Sequence, residues 1–183
     1  ALSLVGSEMC IRDSRRPIVS LDQAIFRLGL NTIRDLVLEA ALNVRLFTTP
    51  GYASAMERIR RHSVATAHIC RILGPVTQQD PHKLFLFGLL HDVGLAAALI
   101  AIDDIFDGAD RPPMVHVWTA IETTHESAGT LLARIWDLPG DVPALIGQHH
   151  DCGATGTPNR LTATLHIAEA IAARLGRGVT PLS

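Results

Sequence analysis

From Leu84 to Ile102 the chain reads LFLFGLLHDVGLAAALIAI, and apart from His91 and Asp92 every residue in it is apolar or glycine. A run of that length and composition has two ordinary fates, a membrane span or a helical segment buried in a core. The adjacent imidazole and carboxylate stand near its middle, where hydrocarbon would make them costly, and Lys83 and Asp103 merely flank it. A buried helical segment is therefore expected, with no membrane partner. The pair itself has two explanations. It sits on the surface between two short helices, or it belongs to a metal site built into a helical core.

The rest of the composition favours helices. Hydrophobic residues make up 48% of the 183 and aromatics only 4%. Ala, Leu and Ile dominate, which suits packed helices better than a β-sandwich rich in β-branched and aromatic side chains. The length allows one domain with a sizeable core. No alternating run bounded by hairpin turns occurs, and there is no internal repeat or low-complexity linker, so the expected fold is all-α, a single helical bundle. The formal net charge is −2 and no basic block is present, which argues against nucleic acid as a partner. Arg58, Arg60 and Arg61 read as a solvated helix face. Cys10, Cys70 and Cys152 show no pairing spacing and read as reduced thiols of a cytoplasmic protein. No secretory signal pattern is visible.

Caps and breakers divide the chain. Ser20 is expected to cap a helix beginning LDQAIFRL, with Gly29 as its stop, and Asn31 to cap the next, TIRDLVLEAALNVRLF. A third helix should run from about Ala53 to Leu73 and break at Gly74-Pro75. The apolar helix should open at TQQD with Pro81, with Gly94 as its point of interruption. Two stretches, Val115 to Thr123 and Glu126 to Trp136, should follow, then a short helix with Pro143 in its first turn reaching His149. HHDCGATGTPNR should be the longest loop, and Thr162 to Leu175 the last helix.

The segment Leu4 to Ser14, LVGSEMCIRDS, resembles the translation of a transposase adapter used in sequencing libraries. Residues 1–14 are therefore read as a non-native tail, which includes Cys10, and 15–183 as the domain proper, with its natural N-terminus and leading helices missing.

Nine histidines are present. His68, His82 and His116 have no chemical neighbours in the sequence and read as surface or cap residues, whereas His166 is ambiguous because Glu169 follows one turn later. Five others look organised: His62, His91 with Asp92 beside it, His125, and the pair His149-His150. Neighbouring helical residues diverge by about 100°. Asp92 beside His91, or His150 beside His149, can therefore serve different ions. Imidazole and carboxylate donors together suit manganese, iron or zinc, in one or two sites between bundled helices.

These motifs in this order, together with SLDQAIFRLGLNTIRDLVLEAAL, RHSVATA, FLFGLLHDVG, THESAGTLLARIWDLPGDVPALIGQHH and LHIAEAIAARLG, resemble the HDOD family, part of the HD superfamily of metal-dependent phosphohydrolases. The resemblance runs from Ile18 to Gly176. It implies an HD-type helical domain, a bacterial signalling role, and ligand positions at His62, His91, Asp92, His125, His149 and His150. The final ligand position, an Asp in an AD pair of the family, is matched by Glu169 in AE. The related HD-GYP proteins place a Lys where Leu95 stands, and their Gly-Tyr-Pro motif is absent, so cyclic-di-GMP hydrolysis is not implied.

Two functions stay open on the sequence. In one, a phosphohydrolase acts on a phosphoester or nucleotide: His62, His91, Asp92 and Glu169 hold one divalent ion, Asp92 bridges to a second held by His125, His149 and His150, and Asp151 and Arg160 help bind substrate. In the other, the same bundle is a non-catalytic regulatory module that binds signalling proteins. Leu95 and Glu169 favour the second and the retained histidines favour the first.

Overall fold

The computed structural model describes residues 21–45, 49–106, 110–138, 140–151 and 159–179. The expected tail 1–14, the Ser20 cap and most of the loop after Asp151 lie outside these residues. The chain divides into two compact units, Ala1–Ala41 and Leu42–Ser183.

In the first unit, α1 (Leu21–Leu28) stops at Gly29, whose φ of 78° is the left-handed conformation that glycine adopts without penalty. The next helix, α2 (Leu30–Arg45), starts immediately. Asn31 is thus inside it rather than its cap. The Gly29 carbonyl already accepts from the Ile33 N–H, 3.2 Å away, and closes the first turn two residues earlier than the sequence suggested.

Beyond the end of α2, the second unit holds six α-helices among the described residues and no strand: α3 (Ala53–Thr77), α4 (Pro81–Leu90), α5 (Val93–Ile105), α6 (Met114–Ile135), α7 (Val142–Ile146) and α8 (Arg160–Ala172). Helix α3 runs through Pro75 instead of ending at Gly74. A proline this close to a helix end sacrifices one hydrogen bond and little more. The helix closes only at Gln78, left-handed at φ 55°, while the Gln79 N–H bonds back to the Gly74 carbonyl at 2.9 Å. Gly74 is needed for a different reason: a Cβ there would stand 2.9 Å from the Pro81 Cα, so its absence lets α4 begin hard against α3.

Helix α4 opens as its sequence dictates. Pro81 occupies the first turn, and the Asp80 carboxylate accepts from the backbone N–H groups of His82 and Lys83 at 2.8 and 3.4 Å. Asp80→Ala is expected to cost about 1 kcal/mol in urea unfolding, whereas Asp80→Asn should cost markedly less.

The apolar run does not break at Gly94. It breaks at His91-Asp92, where Asp92 (φ −99°, ψ 13°) leaves helical geometry and α5 restarts at Val93. Gly94 instead marks the crossing of α5 and α6: a Cβ there would meet the His125 carbonyl oxygen at 1.9 Å. The Pro81–Ile105 stretch is long and apolar enough to cross a membrane, but 67% of its most apolar window is buried by the rest of the protein. Helix α6 is continuous where two stretches were expected. Thr123 and Thr124 send their hydroxyls back to the carbonyls of Thr119 and Ala120, at 2.9 and 2.7 Å, so the polar pair is absorbed within the helix. Helix α7 is shorter than expected, and turns carry the chain from Gly147 to His150. Asn159 caps α8 through the Leu161 N–H, so it starts two residues before Thr162, and beyond Ala172 the backbone widens into a π-turn ending at Gly176 (φ 72°) and Arg177.

Three apolar clusters fill this unit. Met56, Ile59, Leu99 and Ile121 join α3, α5 and α6; Cys70, Leu84, Phe87 and Leu165 join α3, α4 and α8; Leu90, Val93, Ala133 and Ile146 join the α4–α5 junction to α6 and α7. Cys70 lies in the second as a free thiol, pushed up to about 12 by burial, and is chemically quiet there. His91 and Asp92 stand at the break between α4 and α5, so they are placed by packing from every side.

Candidate metal centre

Three helices, a helix junction and a turn deliver polar side chains to this break. His62 comes from the middle of α3, His91 and Asp92 from the α4–α5 junction, His125 from α6, His149 and His150 from the turn after α7, and Glu169 from α8. His62, His91, Asp92, His125 and His149 are all at most 5% exposed.

Two groups of donor atoms form. In the first, His62 Nε2 lies 3.2 Å from His91 Nε2 and 3.6 Å from Asp92 Oδ2, while His91 Nε2 lies 3.3 Å from Asp92 Oδ2 and 3.4 Å from Glu169 Oε1. In the second, His125 Nε2 lies 3.2 Å from His149 Nε2 and 3.1 Å from His150 Nε2, and Asp92 Oδ1 stands 3.5 Å from both His125 and His149. Each carboxylate oxygen of Asp92 therefore faces one group.

The histidines are also fixed in tautomer. Nδ1–H donates to a backbone carbonyl in four of them: His62 to Arg177 (2.7 Å), His91 to Gly88 (2.9 Å), His125 to Glu122 (2.5 Å) and His149 to Ile146 (2.7 Å). A carbonyl only accepts, so the proton is on Nδ1 and Nε2 is the atom turned inward. Neutral rings held this way aim lone pairs at one another across 3.2 Å. A cation between them removes the conflict. Donors about 2.0–2.2 Å from an ion stand about 3.0–3.5 Å apart in octahedral or tetrahedral arrangements, the scale found in both groups. The residues present thus fit a divalent ion in either group.

Without an ion, protons do part of this work. Burial pushes His91 down, but the Asp92 and Glu169 carboxylates outweigh it and lift the ring to about 10. Burial likewise opposes ionisation of Asp92, yet His91 and His149 hold its carboxyl well below the usual range. His62 and His150 are both pushed down, chiefly by burial and then by neighbouring imidazoles. The signs follow. A group raised in the fold stabilises it fully below its unfolded value of about 6.5 and stops doing so as pH climbs through the folded one. In chelator, stability is expected to decline as pH rises from about 6.5 toward 10. With manganese the trend should reverse over the lower part of that range, because the ion competes with the His91 proton. Urea melts at stepped pH, with and without manganese, check both slopes.

Asp92, His62, His125, His150 and Glu169 also line a cavity of about 240 Å³, with Leu95, Trp118 and Val179 as apolar walls and Glu122 on one side. Asp151 and Arg160 do not line it. The Arg160 guanidinium donates to the Thr77 carbonyl at 2.6 Å and ties the start of α8 to the end of α3. Two further side chains reach the site: Glu126, which the sequence did not single out and which accepts from the His150 N–H, and His166, which the sequence left ambiguous and which donates to the His149 carbonyl. Glu126 directly follows His125, and helical divergence from a suspected ligand was the signal that could have found it.

A sequence profile of the HDOD domain matches residues 2–152. No curated protein sequence matches the chain. Among solved structures, the chain is similar to one from Shewanella amazonensis SB2B bearing the name "Putative phosphohydrolase", at 25% identity and a TM-score of 0.63, over 87% of this chain and 61% of that one. It is also similar to an HDOD domain protein with unknown function from Geobacter sulfurreducens, at 21% identity and a TM-score of 0.64, over 98% of this chain and 68% of that one, a likeness of fold alone. The chain thus spans less than two thirds of the length of the Shewanella protein. With its helices, its profile match over most of the sequence and these two structural relatives, the chain belongs to the HDOD domain family.

Proposed function

We propose that this domain is a bacterial, cytoplasmic, signalling-associated metal-dependent phosphohydrolase acting on a phosphoester or nucleotide. The observation that supports it most is the pair of inward-facing donor groups that share Asp92, one carboxylate oxygen to each. His62, His91, Asp92 and Glu169 would hold one ion of manganese, iron or zinc, and Asp92, His125, His149 and His150 would hold the other. Such ions would supply positive charge toward a phosphoryl group and lower the pKa of a bound water. The chain's own contribution is placement: carbonyl-anchored imidazoles fix the donor directions, Asp92 sets the spacing between the groups, and Leu95, Trp118 and Val179 form the apolar walls of the cavity.

Leu95 favours a second reading. It occupies the cavity wall where the related phosphodiesterases carry a Lys, which removes a cation from beside the substrate. In that reading the domain binds a signalling protein without turnover, with or without a metal. Assays of manganese-loaded protein with p-nitrophenyl phosphate and bis-p-nitrophenyl phosphate separate the two. Hydrolysis that falls about 100-fold or more in Asp92→Ala supports the enzyme. Metal binding with no hydrolysis above free manganese leaves the regulatory module.

A further inference from the structure

The peptide unit between His149 and His150 is held by side chains at both of its polar ends. Its carbonyl, on His149, receives the Nε2 of His166 at 2.5 Å. Its N–H, on His150, donates to Glu126 Oε1 at 3.1 Å. The two clamps come from different helices, His166 from α8 and Glu126 from α6. They act on the middle peptide of a turn outside regular helix, which the Asp151 N–H closes by donating to the Gln148 carbonyl at 3.0 Å without engaging either polar group of that peptide.

We infer that Glu126 and His166 are positioning residues that lock this one peptide plane and thereby aim the His149 and His150 imidazoles at the second ion. The inference rests on the metal reading above. Displacement of the peptide unit carries the Cα atoms on either side of it along, and their side chains with them. Both Nε2 atoms, each within 3.2 Å of His125 Nε2, would then leave the donor group together. The neighbouring anchor of His149, Nδ1–H to the Ile146 carbonyl at 2.7 Å, fixes that ring's plane but not the peptide that follows it. Glu126 is one residue beyond His125, so α6 presents a donor atom to the site and a brace to the turn from successive positions. Because a carbonyl only accepts, His166 must carry its proton on Nε2, a role that phenylalanine cannot fill and glutamine can. The first donor group takes nothing from this turn.

Manganese titration calorimetry on the whole domain tests this. The binding steps are assigned with His62→Ala, which removes a donor from the first group only, and His150→Ala, which removes one from the second only. His166→Phe and Glu126→Leu are expected to weaken the step lost in His150→Ala by about 10- to 100-fold and to leave the other within about threefold. His166→Gln should restore most of the loss. Melting in chelator checks that the variants remain folded. Equal weakening of both steps would show a general loosening and overturn the clamp, as would unchanged affinity in His166→Phe or no rescue by glutamine. Absence of any manganese binding by wild type would overturn the metal reading and the clamp with it, whereas normal wild-type binding with unaffected variants would remove the clamp alone.

Discussion

Asp92→Ala is expected to abolish the stabilisation that manganese gives the wild type. A ligand that binds only the folded state stabilises it by RT ln(1 + [L]/Kd), about 2.7 kcal/mol per site at a hundredfold excess over Kd. Asp92 supplies an oxygen to each donor group, at 3.3 Å from His91 and 3.5 Å from His125 and His149, so one truncation strikes both. The metal-free protein should suffer too, but less. There Asp92 is the counter-charge of a protonated His91 buried at 0% exposure, and its removal leaves that imidazolium with Glu169 alone. Melting curves of both proteins, each with manganese and with chelator, give four temperatures. The expected pattern is a large manganese shift in wild type and none in the variant. An equal loss in both conditions would reduce Asp92 to a helix-end residue.

The other large effect is expected at Gly94. A methyl group there would lie 1.9 Å from the His125 carbonyl oxygen and 2.7 Å from the Gly129 nitrogen. Both are backbone atoms of α6, and neither can rotate aside. Helices α5 and α6 must separate, at the point where Leu95, Ala96, Leu99 and Ile121 form a closed apolar cluster. Gly94→Ala should cost about 3 kcal/mol or more in urea unfolding, at or above the usual upper end for overpacked cores. It should also weaken manganese binding at the second donor group, because His125 moves with the helix that is displaced. A cost below about 1 kcal/mol would mean that the helices do not cross as closely as the structure shows.

What the sequence disclosed and what it hid have physical causes. The donor side chains were visible because His91-Asp92 interrupts a run that is otherwise uniformly apolar and His149-His150 stand as an adjacent pair. Helix starts with a side-chain cap and a proline, such as Asp80-Pro81, were also legible. The continuity of α6 was not, since threonines read as breakers until their hydroxyls are seen to bond backward. Pro75 read as an end, yet so near a terminus it breaks little. Gly94 read as a breaker for the same reason that it is required: only the helix crossing it, remote in sequence, shows that the missing side chain makes room. The carbonyls that set the histidine tautomers carry no signature at all, because every residue has one. The hydrogen bond from the Arg160 guanidinium to the Thr77 carbonyl at the end of α3 was not legible either, because its partner is again a backbone carbonyl.

The central claim is that two donor groups share the Asp92 carboxylate around divalent ions. Crystals of the tag-free protein equilibrated with manganese, with anomalous differences collected at the manganese edge, address it most directly. The account predicts two peaks, one on either side of Asp92, the first within bonding distance of His62, His91 and Glu169 and the second of His125, His149 and His150. A map without peaks at Asp92, with ordered waters bridging the imidazoles instead, would contradict it.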